Sequence, residues 1–272
     1  MKDIVKIIAL VGPTASGKTS VSIKLAQKLN GEVISADSRL VYKDFNIGTA
    51  KPTQEEILDI PHHLIDVANP KDDFSVGIYK NEAEKIIADI NKRNKIPIVT
   101  GGTGFYVKAL LGNLEIPKVD PDDEYRNELE QLALEKGRDF LHNLLRETDP
   151  KTAEKLHPND KFRVIRALEV IKKLGIPMSE AQKFSDSKYK TLYVGLNAQN
   201  REFLYDRINQ RVDIMFETGL VEEVKTLINK YGKTVSLLKT LGYKEICEYL
   251  DGNLSYDDSI ELIKKNTRNF AK

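Results

Sequence analysis

Eight residues near the start of the chain carry its clearest chemistry. Gly12-Pro13-Thr14-Ala15-Ser16-Gly17-Lys18-Thr19 matches G-x-x-x-x-G-K-[ST], a pattern whose residue types suit phosphate. Its glycines let the backbone fold closely around anionic oxygens. Successive backbone N–H groups and a helix N-terminus then point at the charge. Lys18 adds a mobile cation, and the Thr19 hydroxyl can ligate Mg²⁺. A ligand-free glycine turn could share the bare pattern, so its flanks matter. Val5 to Val11 reads as a short buried strand, and Lys18 to Leu29 as a helix with Val21, Leu25, Ala26 and Leu29 on one face. Asn30-Gly31 stops that helix. Strand, loop and helix in this order make the phosphate reading the stronger one; which phosphate compound is bound is left open.

Two further strand ends carry polar groups. Glu32 to Ala36 reads as a strand ending in Asp37-Ser38, and Ile96 to Thr100 as one ending in Gly101-Gly102-Thr103-Gly104. Ligands of open α/β sheets bind at the carboxyl ends of strands, so one carboxylate and a second glycine turn should meet the phosphate loop there. Each has a bland reading too: Asp37-Ser38 as a turn or helix cap, Gly101 to Gly104 as a tight strand-to-helix turn. Nucleotide-hydrolysing P-loop proteins hold Mg²⁺ with an aspartate at the end of a second buried strand. No carboxylate follows Thr100. That argues against a nucleotide-driven motor or a small-molecule kinase, and suits a transferase whose donor leaves as pyrophosphate. His62-His63 lacks metal-site spacing and reads as structural. Cys247 lies in an apolar helical pattern and reads as core.

The elements that must position these groups alternate. An amphipathic helix from Ser75 to Lys92 presents Ile78, Ala83, Ile86, Ile87 and Ile90, and a helix follows Gly104 through Leu111. Residues 39 to 73, with Pro52, Pro61 and Pro70, read as loops and short pieces. Alternating strands and helices predict an α/β fold, a P-loop NTPase-like parallel sheet flanked by helices. Composition shifts after Gly112. Residues 118–187 are charge-rich with helical patterning, so they are assigned as an inserted helical subdomain, and 1–117 with 188–272 as the core. Thr191 to Leu196 reads as one more core strand, followed by helices over Arg201–Glu217, Leu220–Tyr231, Tyr243–Leu250 and from Ser255 onward. The 272 residues carry 42 Lys and Arg against 41 Asp and Glu, a net charge of +1, so any nucleic-acid surface must be local. One such run is Lys161, Arg163, Arg166, Lys172 and Lys173, which by itself reads as a solvated helix face. One cysteine excludes an internal disulfide, and no segment has the length of a membrane span or the form of a signal peptide; a cytoplasmic protein is expected.

Several segments together resemble the bacterial tRNA dimethylallyltransferases, in family order over almost the whole chain. They are Gly12 to Thr19, Ala36-Asp37-Ser38-Arg39, Tyr42, Ile47-Gly48-Thr49-Ala50-Lys51-Pro52, Pro61-His62-His63-Leu64-Ile65-Asp66 and Gly101-Gly102-Thr103-Gly104-Phe105-Tyr106. Asn159-Asp160, Arg163, Arg166-Ala167-Leu168-Glu169-Val170, Arg207 to Asp213 and Leu241-Gly242-Tyr243-Lys244-Glu245 continue the series. The resemblance implies transfer of the five-carbon group of dimethylallyl diphosphate to N6 of adenosine 37 in a tRNA anticodon loop. It implies Mg²⁺, for which the loop offers Thr19, and a P-loop core with a helical insertion; a monomer is expected. By matching position, Asp37 becomes the general base, Thr103 a diphosphate or acceptor contact, and Arg211 a pyrophosphate stabiliser, with Arg207 the alternative four residues earlier. Gly12, Pro13, Thr14, Ala15, Ser16, Gly17, Lys18 and Thr19 become the donor's diphosphate site. Asp37, Ser38, Arg39 and Leu40, then Lys161, Phe162, Arg163, Val164, Ile165 and Arg166, then Lys239, Gly242, Tyr243 and Lys244 become tRNA contacts. The other acceptor compatible with loop, base and threonine is free AMP, ADP or ATP, as in adenylate isopentenyltransferases; the helical insertion and its arginines favour the macromolecule.

The chemistry has use for such groups. Adenine N6 is a weak nucleophile that must lose a proton on attack, so a carboxylate within reach serves as base. The leaving pyrophosphate gathers charge that amides, Lys18 and Arg211 can stabilise. Two departures stand out. Phe162 replaces a usually polar or basic residue, and could stack on a base instead. The family also usually continues beyond Lys272, and the last helical pattern meets no Gly or Pro stop, so that helix is expected to be cut short.

Overall fold

A computed structural model describes residues 4–272, in two compact units: 4–111 with Lys188–Lys272, and Gly112–Ser187. The first opens with β1 (Val5–Val11), α1 (Lys18–Leu29), β2 (Gly31–Ser35), α2 (Gln54–Ile57), β3 (His62–His63), α3 (Val76–Lys92), β4 (Ile96–Thr100) and α4 (Gly104–Leu111). The second unit holds α5 (Asp123–Lys136), α6 (Arg138–Thr148), α7 (Pro150–Lys155), α8 (Lys161–Leu174) and α9 (Met178–Ala181). The chain then returns to the first unit for β5 (Tyr189–Gly195), α10 (Arg201–Glu217), α11 (Leu220–Tyr231), a 3₁₀ turn (Ser236–Lys239), α12 (Tyr243–Leu250) and α13 (Tyr256–Phe270). The second unit begins at Gly112, where the composition changes, rather than at 118; an antiparallel bridge between Leu114 and Phe184 closes its base.

Among the described residues the sheet has five strands, all parallel, in the order β3-β2-β4-β1-β5. Successive side chains of a strand point to opposite faces. Here Ile7, Ala9, Ile34 and Val99 pack with Tyr79, Ala83, Ile87 and Leu110 of α3 and α4, while Val33 and Ile98 pack with Ala26 of α1. Both faces of β2 and β4 are covered, which is why they read as continuous apolar runs rather than alternating ones; β5, read from the sequence as a core strand, lies instead at the sheet edge with Leu192 and Tyr193 exposed. The helix faces differ from expectation in two places. In α1 the buried residues are Ser22, Ile23 and Ala26, and Leu29 is exposed. In α3 Ile78 is exposed and Tyr79 buried. Leu29 is the last residue of α1, and in α3 the buried stripe enters through Tyr79 rather than its neighbour Ile78. Ser75 caps α3, its side chain accepting from the Ile78 amide.

His62-His63 forms the edge strand, a two-residue element too short to leave a periodic signal. Its anchor is Glu32, which is fully buried on β2. That carboxylate receives both Nη groups of Arg93, Lys95 Nζ at 2.8 Å and His63 Nε2 at 2.8 Å. The Arg93 hydrogen bonds, against the cost of burial, hold the carboxyl far below the usual carboxylate range.

The helices after β5 build a separate apolar cluster. Val212, Met215, Leu220, Val224, Leu227, Tyr243, Ile246 and Ile263 meet there, and Phe45 and Ile47 from the loop after β2 pack into it. Cys247 lies half-buried at its margin. No helix of the described residues is long and apolar enough to cross a membrane.

Candidate active site

Strand register brings three loops to one end of the sheet. Leu10 pairs with Thr100, and Ser35 pairs with Thr100 from the other side. The segments that follow, Gly12 to Thr19, Asp37-Ser38 and Gly101 to Gly104, therefore leave the sheet side by side. The first closes over itself. Gly12 takes φ 155°, and a Cβ there would stand 2.4 Å from the carbonyl oxygen of Leu196, so only glycine fits. Gly17 takes φ 88° and launches α1, whose first turn holds no acidic residue to compete with an anion for the helix N-terminus. Lys18 arches across the loop and its Nζ donates to the carbonyls of Gly12 (2.9 Å) and Pro13 (2.7 Å). The Ser16 hydroxyl is buried with no protein hydrogen-bond partner. Thr19 is exposed in the first turn of α1.

The second and third loops are stitched together. A Cβ on Gly101 would stand 2.2 Å from the backbone of Ala36, so the strand ends touch. The Thr103 amide donates to Ala36 O at 3.0 Å, and the Thr103 hydroxyl accepts from the Ser38 amide at 2.9 Å and lies 3.1 Å from Ser38 Oγ. Thr103 thus fixes the position of Asp37 and Ser38 as well as lying beside them. Asp37 itself makes an Asx-type turn, Oδ1 accepting from the Arg39 amide at 2.9 Å, which leaves Oδ2 beside Gly102. The turn reading of Asp37 is realised by one oxygen; the other is available to chemistry.

Two arginines one turn apart on α10 complete the site, and the structure gives each its own contact. Arg207 Nε donates to the carbonyl of Ala15 at 2.8 Å from an exposed position. Arg211, less exposed, donates to Thr14 Oγ1 at 3.2 Å and to the Thr49 carbonyl at 3.4 Å. Burial lowers the Lys18 pKa, Asp37 opposing and Arg211 reinforcing the shift. Burial likewise lowers that of Arg211, with Asp37 and Glu56 opposing. Two cations beside one carboxylate, all partly withdrawn from water, make a place where added negative charge is favoured.

The residues matched to RNA contact divide. Arg39 and Lys239 are exposed, as is Lys244; Ser38 and Leu40 are half-buried. Tyr243 is in the core, its hydroxyl donating to Glu223, and Gly242 is buried as well, so neither presents a side chain to a partner. In the helical unit Val164 and Ile165 belong to a core with Leu129, Leu141, Leu145 and Leu168. That is the inward stripe of α8, which a run of six consecutive residues must include. Arg166 is committed to Glu169, a fully buried carboxylate that also takes Arg126 Nε at 2.7 Å and the Asp122 amide at 2.8 Å. Burial raises the Glu169 pKa, but these bonds outweigh it and the net shift is downward. Lys161 pairs with Glu130, Arg163 with Asp160, and Lys173 with the Asp120 carbonyl, while Lys172 stands over the Tyr125 ring. The basic run is thus largely an internally paired face, with Phe162 and Arg163 its most exposed side chains.

A phosphate loop after the first strand of a parallel sheet, with arginines reaching it from a later helix, defines a P-loop α/β protein. The profile of the IPP transferase family matches residues 40–272. The chain is 46% identical over 273 residues to the tRNA dimethylallyltransferase of Thermoanaerobacter sp. (strain X514), covering 98% of this chain and 87% of that one. It is 47% identical over 270 residues to the tRNA dimethylallyltransferase of Carboxydothermus hydrogenoformans, covering 98% and 86%. Among solved structures, it resembles the full-length tRNA isopentenylpyrophosphate transferase of Bacillus halodurans at 43% identity and TM-score 0.71, over 98% of this chain and 84% of the other. A eukaryotic dimethylallyltransferase acting on tRNA superposes with TM-score 0.82 at 35% identity, over 98% of this chain and 68% of that one. The chain belongs to the IPP transferase family.

Sequence reasoning missed the loop Tyr42 to Pro52 as part of the site, having only matched its residues by resemblance. It contributes a backbone carbonyl, that of Thr49, and a carbonyl leaves no mark in residue type.

Proposed function

We propose that the chain transfers the dimethylallyl group of dimethylallyl diphosphate to N6 of adenosine 37 in the anticodon loop of tRNA, releasing diphosphate. The observation that carries this is the meeting of an anion loop, one available carboxylate oxygen and two arginines at the end of the sheet, in a chain of this family. The backbone amides of Gly12 to Thr19 hold the diphosphate, and Lys18, Arg211 and Arg207 receive the charge that grows on it as the C–O bond breaks. Asp37 takes the proton that N6 loses as the N–C bond forms. Thr103 keeps Asp37 and Ser38 in place.

Mg²⁺ fits this site in the manner of an ion carried largely by substrate phosphates. Among the described residues no group of three His, Cys, Asp or Glu could hold a metal, whereas the exposed Thr19 hydroxyl and the unpartnered Ser16 hydroxyl border the phosphate position. Thr19 and the donor's own oxygens would hold the ion, which supplies positive charge to the departing diphosphate.

The acceptor is a base in a single-stranded loop, cheaper to unstack than one in a duplex. Arg39, Lys239 and Lys244 of the first unit and Lys161, Phe162 and Arg163 of the second are the exposed or half-exposed side chains left to meet it. The enzyme is read as a cytoplasmic monomer. Incubation with labelled dimethylallyl diphosphate and either tRNA or AMP tests the reading. Label should enter tRNA and not AMP; label in AMP alone would make this an adenylate isopentenyltransferase.

A further inference from the structure

The Glu223 carboxylate on α11 has an unusual set of partners. Its Oε2 accepts from the amides of Asn46 (3.0 Å) and Ile47 (2.7 Å), and its Oε1 from the amide of Gly48 (3.1 Å) and the hydroxyl of Tyr243 (2.7 Å). Three consecutive backbone N–H groups thus converge on one side-chain anion, the arrangement in which a loop ordinarily grips a free anion. The grip fixes the loop from outside. Gly48 is pressed so closely on α12 that a Cβ there would stand 2.5 Å from the Tyr243 ring. From within, Lys51 Nζ, nearly fully buried, ties the Tyr42 carbonyl and the Asn46 side chain (2.9 Å each) and pairs with Asp66. Asp44, Ala50, Leu64 and Asp66 all take positive φ here, so the chain does not settle into this shape by local preference.

The next residue is Thr49. Its carbonyl accepts from Arg211 Nη2, while Nη1 of the same guanidinium reaches Thr14 in the phosphate loop. Resting on the proposed function, we infer that Glu223 is a positioning residue: by holding the Asn46–Gly48 amides it sets the Thr49 carbonyl, and through it aims Arg211 at the leaving diphosphate. Glu223 touches no substrate in this account. Its carboxylate is the joint between the C-terminal helices and the anion site.

The test is a double-mutant cycle read on inorganic pyrophosphate, which needs no acceptor and stands even if tRNA is not the substrate. Glu223→Gln keeps the shape but offers one acceptor oxygen and turns an NH₂ toward backbone amides. Calorimetric titration with pyrophosphate and Mg²⁺ should show affinity falling about tenfold in Glu223→Gln. In an Arg211→Ala background the same change should cost less than about twofold, since coupled residues are not additive. Tyr243→Phe removes one of the four bonds and should show the same pattern at two- to threefold, which keeps the test open if Glu223→Gln does not fold. Equal losses in both backgrounds, or unchanged affinity in folded Glu223→Gln, would overturn the inference. If wild type binds pyrophosphate with this coupling but labels no tRNA, the proposed function fails and the positioning role stands.

Discussion

Replacing Asp37 by asparagine separates the two jobs the structure gives this residue. The turn is made by Oδ1 with the Arg39 amide at 2.9 Å, a bond an asparagine oxygen can make equally well. Asparagine and aspartate serve similarly in such local motifs, so stability should change by a few tenths of a kcal/mol. The proposed diphosphate site, Gly12 to Thr19, lies on a different loop, so donor affinity should stay within about threefold. The second oxygen, beside Gly102, is where the base is lost. A positioned acid–base group contributes about a hundredfold to ten-thousandfold, or roughly 3–5 kcal/mol of barrier. Asp37 also favours the charged forms of Lys18 and Arg211, so its loss should move the alkaline limb of the rate profile to lower pH. Single-turnover transfer at saturating donor and tRNA isolates the chemical step from product release. A rate within threefold of wild type, in a variant with unchanged melting temperature, would refute the base assignment and leave Asp37 as a turn residue.

Lys18→Ala should lower transfer about a hundredfold or more, since it removes a donor to developing charge, and single-turnover kinetics will read it. In the wild type the active form of Lys18 is protonated and burial lowers its pKa, so rate should be lost as pH rises through a range below that of an ordinary lysine. Arg163→Ala should weaken tRNA binding and flatten its dependence on salt in a filter-binding series. Arg166→Ala should instead lower stability by about 2 kcal/mol, because Glu169 stays buried with one partner fewer; denaturant titration distinguishes the two. Glu32 has a depressed pKa, so its contribution is present above the ordinary carboxylate range and fades as pH falls below about 4.5. Glu32→Gln should therefore melt lower at pH 7 yet lose less further stability between pH 5 and pH 3 than wild type does.

Legibility followed physical range. β1, β4, α1, α10 and α11 were readable because each satisfies itself locally, through a short apolar run or a 3.6-residue stripe closed by turn residues. The phosphate loop was readable because it needs glycines, a lysine and a hydroxyl in sequence. Asp37 and Thr103 were visible as strand ends, but not their relation: the hydroxyl of Thr103 binds Ser38 across 65 residues, and only the pairing of β2 with β4 brings them together. The edge strand His62-His63 escaped because two residues have no period, and its cause, Glu32, looks like any surface glutamate until Arg93, Lys95 and the His63 ring surround it.

The same limit explains why a basic run misleads. Lys161, Arg163 and Arg166 are alike in sequence, yet α8 turns about 100° per residue, so residues three apart share a face only approximately and residues two apart diverge. Arg166 falls near Glu169, one turn on, at the edge of the apolar stripe made by Val164, Ile165 and Leu168, and charge compensation claims it. Arg163 falls outside that stripe, and its partner Asp160 sits at the solvent-facing cap of the helix. An exposed pair of that kind contributes little to stability and can be exchanged for a phosphate at small cost. What lies on the far side of the helix therefore sorts such a run: the cation that neighbours a buried acid belongs to the fold, and the one that neighbours water is left free for the RNA contact proposed above.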